Sequence, residues 1–236
     1  MSTVLITGVS RGIGKAAAKA FAKEGWDLLL VARNQSSINT LLEELKEIGC
    51  NRIFYELIDL ANPSQIAPGI KSLLTHGLLP SVVINNAGVA WTGDLLSMPL
   101  HDWEWTMQLN LTSVFQICSE VVPVMRGQGG LVINVSSHAS RNAFPQWGAY
   151  CVSKAALASF TKCLAEEERV NGVRAITLTL GSVNSSLWDT DTVRSKFDRN
   201  AMLSEDQVVF ELLHLAKQPT NQVIEDMTLM PARGTF

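Results

Sequence analysis

Short apolar runs alternate with longer amphipathic stretches from one end of this chain to the other, and that alternation constrains the fold more than any single motif. A continuous Val/Ile/Leu run suits a strand buried on both faces, as in a parallel sheet sandwiched between helices. The pattern predicts strands over Thr3 to Thr7, Asp27 to Ala32, Arg52 to Leu57, Val82 to Asn85, Gly130 to Ser136, Val173 to Thr179 and Gln222 to Leu229. Between them the helical period runs over Gly12 to Glu24, Ser37 to Ile48, Pro63 to Thr75, Trp103 to Met125, Trp147 to Asn171 and Ser204 to Ala216. The expected fold class is α/β, with about seven strands in a doubly wound parallel sheet and helices on both faces.

The 236 residues suit one domain, 1–236. A chain of this size buries roughly 70 to 75 % of its unfolded surface, enough for a core without disulfide or metal staples. Ser182 to Asn200 is polar and irregular, and residues 182–204 are expected to form a mobile substrate lid, the alternative being a plain surface excursion. Lys+Arg number 19 and Asp+Glu 22, a formal net charge of -3 with no basic run. That balance makes neither nucleic acid nor a membrane surface an expected partner. No apolar stretch approaches the ~18 to 20 residues that span a bilayer. The first strand reaches a glycine-rich loop too early for a signal peptide to precede it, so a cytoplasmic protein is expected. Cys50, Cys118, Cys151 and Cys163 share no C-x-x-C spacing and read as reduced core thiols, with no metal site.

The first strand runs into Thr7-Gly8-Val9-Ser10-Arg11-Gly12-Ile13-Gly14, and an alanine-rich helix follows. Glycines let backbone amides approach an anion closely, and the helix N-terminus adds favourable partial charge. A P-loop fits poorly, because Val9 stands where its first Gly belongs and Ala16 replaces the magnesium-binding hydroxyl. A dinucleotide pyrophosphate on Gly8, Ser10, Arg11, Gly12, Ile13 and Gly14 is the better reading, against a tight turn with no ligand, and it makes the sheet Rossmann-like. The second strand ends Val31-Ala32-Arg33-Asn34, without the acid that would accept from a ribose 2′-OH. Arg33 and Arg11 are suited to a 2′-phosphate, so NADP(H) is favoured over NAD(H), unless both are simply solvated surface charges.

Tyr150 and Lys154 stand four residues apart in a helical segment and so share a face. A phenol titrates near ~10, and an adjacent ammonium is expected to draw that value down and make Tyr150 a general acid/base. Such a spacing also occurs on ordinary helix surfaces, and context decides between the two readings.

The context is that the chain resembles the short-chain dehydrogenase/reductase family over nearly its whole length. Thr7 to Gly14 is similar to the family's TGxxxGxG, Asn85-Asn86-Ala87-Gly88 to its NNAG, and Tyr150-Cys151-Val152-Ser153-Lys154 to its YxxxK, with Ser137 at the family's separation before Tyr150. The resemblance implies that Ser137 hydrogen-bonds the substrate oxygen, Tyr150 transfers the proton, and Lys154 binds the nicotinamide ribose. It implies that Asn110 helps hold a water linking the lysine to solvent, that Asp59 and Leu60 lie against the adenine, and that Asn86, Ala87 and Gly88 lie beside its ribose. Adjacent strand residues point to opposite faces, so only one of Ser136 and Ser137 meets substrate; Ser137 is the choice, and His138 is read as a pocket-wall or structural residue rather than an extra acid, since Tyr150 already supplies the proton.

Where the family has Pro-Gly followed by a valine and a threonine that hold the nicotinamide carboxamide, this chain reads Leu180-Gly181-Ser182-Val183-Asn184-Ser185. Gly181 and Val183 are still expected at the cofactor, with Ser185 as replacement hydroxyl. The ending Met227 to Arg233 resembles NADP-preferring members. A homodimer or homotetramer is implied through the helices around Trp103 to Met125 and Trp147 to Asn171, although Val114, Ile117, Cys118, Val121 and Val122 suit either an interface or the chain's own core. Trp91, Phe144, Trp147 and Trp188 suit either an apolar substrate pocket or core packing.

The leading expectation is an NADPH-dependent reductase acting on a small-molecule carbonyl or alcohol. A catalytically silent NADP(H)-sensing or scaffold protein of the same fold is the alternative. Epimerase or dehydratase chemistry on nucleotide sugars is a third, disfavoured by the short C-terminal region.

Overall fold

The computed structural model describes residues 2–50, 52–194 and 197–234. Met1, Asn51, Ser195, Lys196, Thr235 and Phe236 lie outside the described residues, so the expected domain 1–236 and lid 182–204 are seen without them. The strands are β1 (Thr3–Thr7), β2 (Asp27–Ala32), β3 (Ile53–Leu57), β4 (Val82–Asn85), β5 (Gly130–Ser137), β6 (Val173–Leu180) and β7 (Asp226–Leu229). Among the described residues they form one parallel seven-stranded sheet in the order β3-β2-β1-β4-β5-β6-β7. The chain starts in the middle, winds to one edge, then crosses back and winds to the other. Right-handed crossovers in both halves therefore place helices on both faces.

Strand alternation sorts the core into two layers. On one face Val4, Ile6, Leu28, Leu30 and Ile84 pack with Phe21 of α1 (Gly12–Lys23), Leu41 of α2 (Gln35–Glu47) and Leu212 of α7 (Glu205–Ala216). On the other, Leu5, Leu29 and Val83 pack with Ile70 of α3 (Pro63–Leu74), Ile117 of α5 (Ser113–Met125) and Leu157 of α6 (Gly148–Glu168). Val114, Ile117, Cys118, Val121 and Val122 all lie in this second layer, which settles the ambiguity of that stripe in favour of the chain's own core. Cys50 and Cys118 are buried, but Cys163 is exposed on α6, contrary to the expectation of four core thiols.

Boundaries move where side chains intervene. The α2 helix starts at Gln35, ahead of the predicted Ser37, because the Asn34 side chain accepts from the Ser37 amide at 3.1 Å and caps it. The predicted strand Gln222 to Leu229 shortens to Asp226–Leu229, since the Arg174 guanidinium donates to the carbonyls of Pro219 (3.0 Å) and Gln222 (2.9 Å) and holds that segment in a turn. The predicted helix Trp103 to Met125 divides into α4 (Leu100–Met107), a π-helical turn (Gln108–Thr112) and α5. Such turns often mark functional sites.

The described residues of the 182–204 segment include ordered turns. Short 3-10 turns occupy Ser186–Asp189 and Arg199–Ala201, and Val183 bridges to Leu203. The Arg199 guanidinium donates to Asn184 Oδ1 (2.7 Å), Asp189 Oδ1 (2.9 Å) and the Ser185 carbonyl (3.0 Å). The Thr92 amide donates to the Thr192 carbonyl at 2.8 Å, tying the segment to the loop after β4.

Candidate active site

A cleft of about 540 Å³ opens at the carboxyl ends of the strands, where the order reverses between β1 and β4. Its floor is the glycine loop. Gly8 and Gly12 adopt φ of +71° and +63°, and a Cβ on Gly8 would stand 2.9 Å from the Ala87 Cα. Gly14, expected at the cofactor, does not line the cleft. It lies beneath the loop, where a Cβ would come within 2.3 Å of the Gly8 carbonyl oxygen and 2.6 Å of Asn86 Nδ2, so its part is close helix packing. Arg11, at the N-cap of α1, makes no side-chain cap, which leaves the first helical amides free for an anion. Thr7 Oγ1 accepts from the Asn86 and Ala87 amides at 3.1 Å each, and Asn86 Nδ2 donates to the Thr7 carbonyl at 3.1 Å, so β4 and the glycine loop are locked together.

Gly8, Ser10, Arg11, Gly12, Ile13, Arg33, Asp59, Leu60, Asn86, Ala87 and Gly88 all line this end. Arg11 and Arg33 are exposed, and among the described residues neither enters an ion pair. Sequence reasoning missed Asn34 and Ser37, which line the same corner; Ser37 Oγ donates to Ser10 Oγ at 3.0 Å. The signal was there in Asn34-Gln35-Ser36-Ser37, a helix cap placed directly after Arg33.

Ser137, Tyr150 and Lys154 meet in the middle of the cleft. Ser137 ends β5, and its Oγ accepts from the Ala139 amide at 3.2 Å, leaving its own proton to donate. Ser136 also lines the cleft but is buried, its Oγ donating to the Lys154 carbonyl at 3.4 Å. Lys154 is 5 % exposed; its Nζ donates to the Val135 carbonyl at 2.9 Å and stands 5.8 Å from the centre of the Tyr150 ring. Burial pushes the Lys154 ammonium down to about 8. The Tyr150 phenol moves opposite to the sequence expectation. Burial raises it, and the hydrogen bond from Ser137 opposes that only in part. A lysine one helical turn away, itself desolvated and bonded to a carbonyl, does not outweigh the loss of water around the ring.

Asn110 sits in the π-helical turn, fully buried and outside the cleft lining. Its Oδ1 accepts from the Val89 amide at 2.8 Å, and its Nδ2 donates to the Val89 carbonyl and to Ser153 Oγ at 2.9 Å each. It thus pins the loop after β4 to the helix that carries Tyr150 and Lys154. A Cβ on Gly88 would lie 3.2 Å from Asn110 Oδ1 and 3.6 Å from Lys154 Nζ, so the three groups are neighbours.

Leu180 stands in the ladder of β6, opposite Ser137 and Leu229, and the Gly181 amide donates to the Leu229 carbonyl at 2.9 Å. Gly181 and Val183 both line the cleft. The Val183 carbonyl, expected to face the cofactor, is already taken by the Trp188 indole N–H at 2.6 Å and the Ser185 amide at 2.8 Å. Ser182 lines the cleft, its Oγ buried and without a partner among the described residues. Of the expected aromatics, Phe144, Trp147 and Trp188 line the cleft, whereas Trp91 lies on a separate shallow depression with Asp94 and Asp191. His138 lines the wall, with Nε2 at 2.8 Å from Asn142 Nδ2.

These features fit a dinucleotide: uncapped helix amides, glycines whose missing Cβ keeps the loop close to its neighbours, free arginines at one end and an orphaned buried hydroxyl at the other. The family model described as short chain dehydrogenase matches residues 2–195. A 3-oxoacyl-[acyl-carrier-protein] reductase of Chlamydia trachomatis is 27% identical over 197 residues, which are 83% of this chain and 77% of that protein. The alcohol dehydrogenase of Thermococcus sibiricus, solved with 5-hydroxy-NADP, superposes with a TM-score of 0.88 at 26% identity, over 98% of this chain and 97% of that one. A metagenomic short-chain oxidoreductase solved with NADP gives 0.84 at 27% identity over the same shares of the two chains. With the family model spanning most of its length, this chain belongs to the short-chain dehydrogenase family.

Proposed function

We propose that this protein is an NADP(H)-dependent oxidoreductase that moves a hydride between the nicotinamide and a carbonyl or secondary alcohol. The observation that carries the reading is that Ser137, Tyr150 and Lys154 meet in the same cleft as the uncapped glycine loop. In this reading the loop amides from Gly8 to Ile13 hold the pyrophosphate, and Ser10, Arg11 and Arg33 hold the 2′-phosphate, with Asn34 and Ser37 beside them. Asp59 and Leu60 flank the adenine, Asn86, Ala87 and Gly88 its ribose, and Gly181 with the Val183 amide the nicotinamide end. The NADP-type cofactors of the two related structures named above support the preference.

When bound, the nicotinamide supplies or accepts the hydride. In reduction, Tyr150 gives its phenolic proton to the substrate oxygen as negative charge builds there, and the Ser137 hydroxyl donates a hydrogen bond to the same atom. A phenol whose pKa is raised by burial stays protonated and is suited to that direction. The Lys154 ammonium stabilises the phenolate left behind and binds the ribose hydroxyls, a part that requires its charge and so a pH below about 8. Asn110 acts on these groups by holding α6 against the loop after β4. The described residues of the 182–204 segment, braced by Arg199, cover the substrate. The exposed Phe115, edge-on to Phe160, supports a homodimer or homotetramer, to be measured by light scattering.

The test is NADPH oxidation over a panel of ketones, aldehydes, quinones and 3-oxoacyl thioesters, with Tyr150→Phe alongside. Turnover lost by about 100-fold or more in the variant, with NADPH affinity retained, is the expected result. Near-normal turnover in Tyr150→Phe removes the phenol from the mechanism, and binding of NADPH without turnover of any carbonyl favours the sensing alternative.

A further inference from the structure

We infer that the substrate is a neutral aryl ketone or aldehyde, an inference that rests on Tyr150 and Ser137 as the pair that binds the reacting oxygen. The cleft is divided by charge. Its charged side chains are Arg11, Arg33 and Asp59 at the β1–β3 end and Lys154 in the middle. Beyond Lys154 the described lining includes the apolar residues Phe144, Trp147, Leu187, Trp188 and Phe197, with His138 already bonded to Asn142. A carboxylate or phosphate on the substrate would meet no cationic side chain among the described lining residues there, and its desolvation would oppose binding.

The aromatic side chains form a chain that begins at the reacting hydroxyl. Tyr150 and Trp147 stand 5.6 Å apart at 68°, Trp147 and Trp188 5.7 Å apart at 64°, and Trp188 and Phe197 5.4 Å apart at 89°. Edge-to-face rings of this kind accept a flat guest against a face or an edge, which favours an aryl group over an aliphatic one of equal size. The wall also has few donors to offer. The Trp188 indole N–H is spent on the Val183 carbonyl at 2.6 Å, so what this residue presents to a guest is hydrocarbon. A polyol would therefore leave most of its hydroxyls unpaired. Ser182 Oγ is buried and unpartnered among the described residues, and Ser185 and Ser186 add hydroxyls to the cleft lining. The wall is also held in place. Arg199 makes three hydrogen bonds to the segment that carries Trp188, and Thr192 Oγ1 donates to the Ala90 carbonyl at 2.7 Å.

The test measures kcat/KM with NADPH for 2-acetylnaphthalene, acetone, pyruvate, dihydroxyacetone and an acetoacetyl thioester, using the full chain. The aryl ketone is expected to lead every other carbonyl by at least about tenfold. Phe197→Ala and Trp188→Ala are expected to narrow the ratio of aryl ketone to acetone about tenfold, through KM. The wild-type ranking decides the matter even if a variant fails to fold. Faster turnover of pyruvate, dihydroxyacetone or the thioester overturns the substrate class and leaves the reductase reading intact. No turnover of any carbonyl, with NADPH bound, overturns both.

Discussion

The two ends of the cleft are built by different means. At the cofactor end the shape is made by backbone: glycines at positive φ, free helix amides and a threonine that ties two loops together. At the substrate end it is made by side chains from the segment before α6 and the one after β6, held by an arginine fork, an indole hydrogen bond and edge-to-face aromatic residues. A backbone-built site tolerates few substitutions and offers a general-purpose grip, since every residue supplies the same amide. A side-chain-built site can be rewritten one residue at a time, which is why a common scaffold can serve different substrates.

The sharpest way to break this contrast is Gly14→Ala. A methyl group 2.3 Å from the Gly8 carbonyl must displace backbone, so stability is expected to fall by ~1–3 kcal/mol or more, with NADPH binding lost alongside. Thermal melts with and without NADPH check it, and a variant of ordinary stability and affinity would show that this end is as adaptable as the other. Arg33→Asp comes next. It removes a charge-assisted contact to the 2′-phosphate and adds an acceptor for a 2′-OH, so the NADPH to NADH preference should fall by about tenfold or more. An unchanged ratio of kcat/KM values would reject the assignment of Arg33.

Arg199→Ala probes the substrate end. Loss of its bonds to Asn184, Ser185 and Asp189 should raise KM for the carbonyl several-fold while NADPH affinity, measured by titration, stays within about twofold. Equal losses of both would mean the two ends are not independent. The smallest effect concerns pH. With Lys154 pushed down to about 8 from 10.5, activity that needs the ammonium should decline as pH rises through about 8. Stability should move the other way. Between those two values the unfolded chain binds a proton that the folded chain does not, so folding becomes more favourable as pH rises across that window. Opposite slopes in a rate profile and a denaturation series check the sign, and parallel slopes would place the charge elsewhere.

Much of the first end was legible beforehand. The run Thr3 to Gly14 carries its own strand, turn and helix start, and Tyr150 and Lys154 share a helix face by spacing alone. What could not be read were contacts between distant segments. Nothing in Asn110 announces that both ends of its amide are used on Val89 and Ser153, nor in Trp188 that its N–H covers the Val183 carbonyl. The direction of the Tyr150 shift failed for the same cause, since spacing reveals a neighbouring charge but not how much water the fold removes.

Local periodicity and turn chemistry, being properties of short stretches, were enough for the sequence by itself to determine the layered parallel sheet and the place where its glycine loop meets a helix. Which carbonyls are free, which cations are dry and what covers the substrate end were decided only when residues 102 positions apart, such as Thr92 and Arg194, came into contact. Burial and hydrogen-bond partnership belong to the packed whole, and no stretch of chain carries them alone.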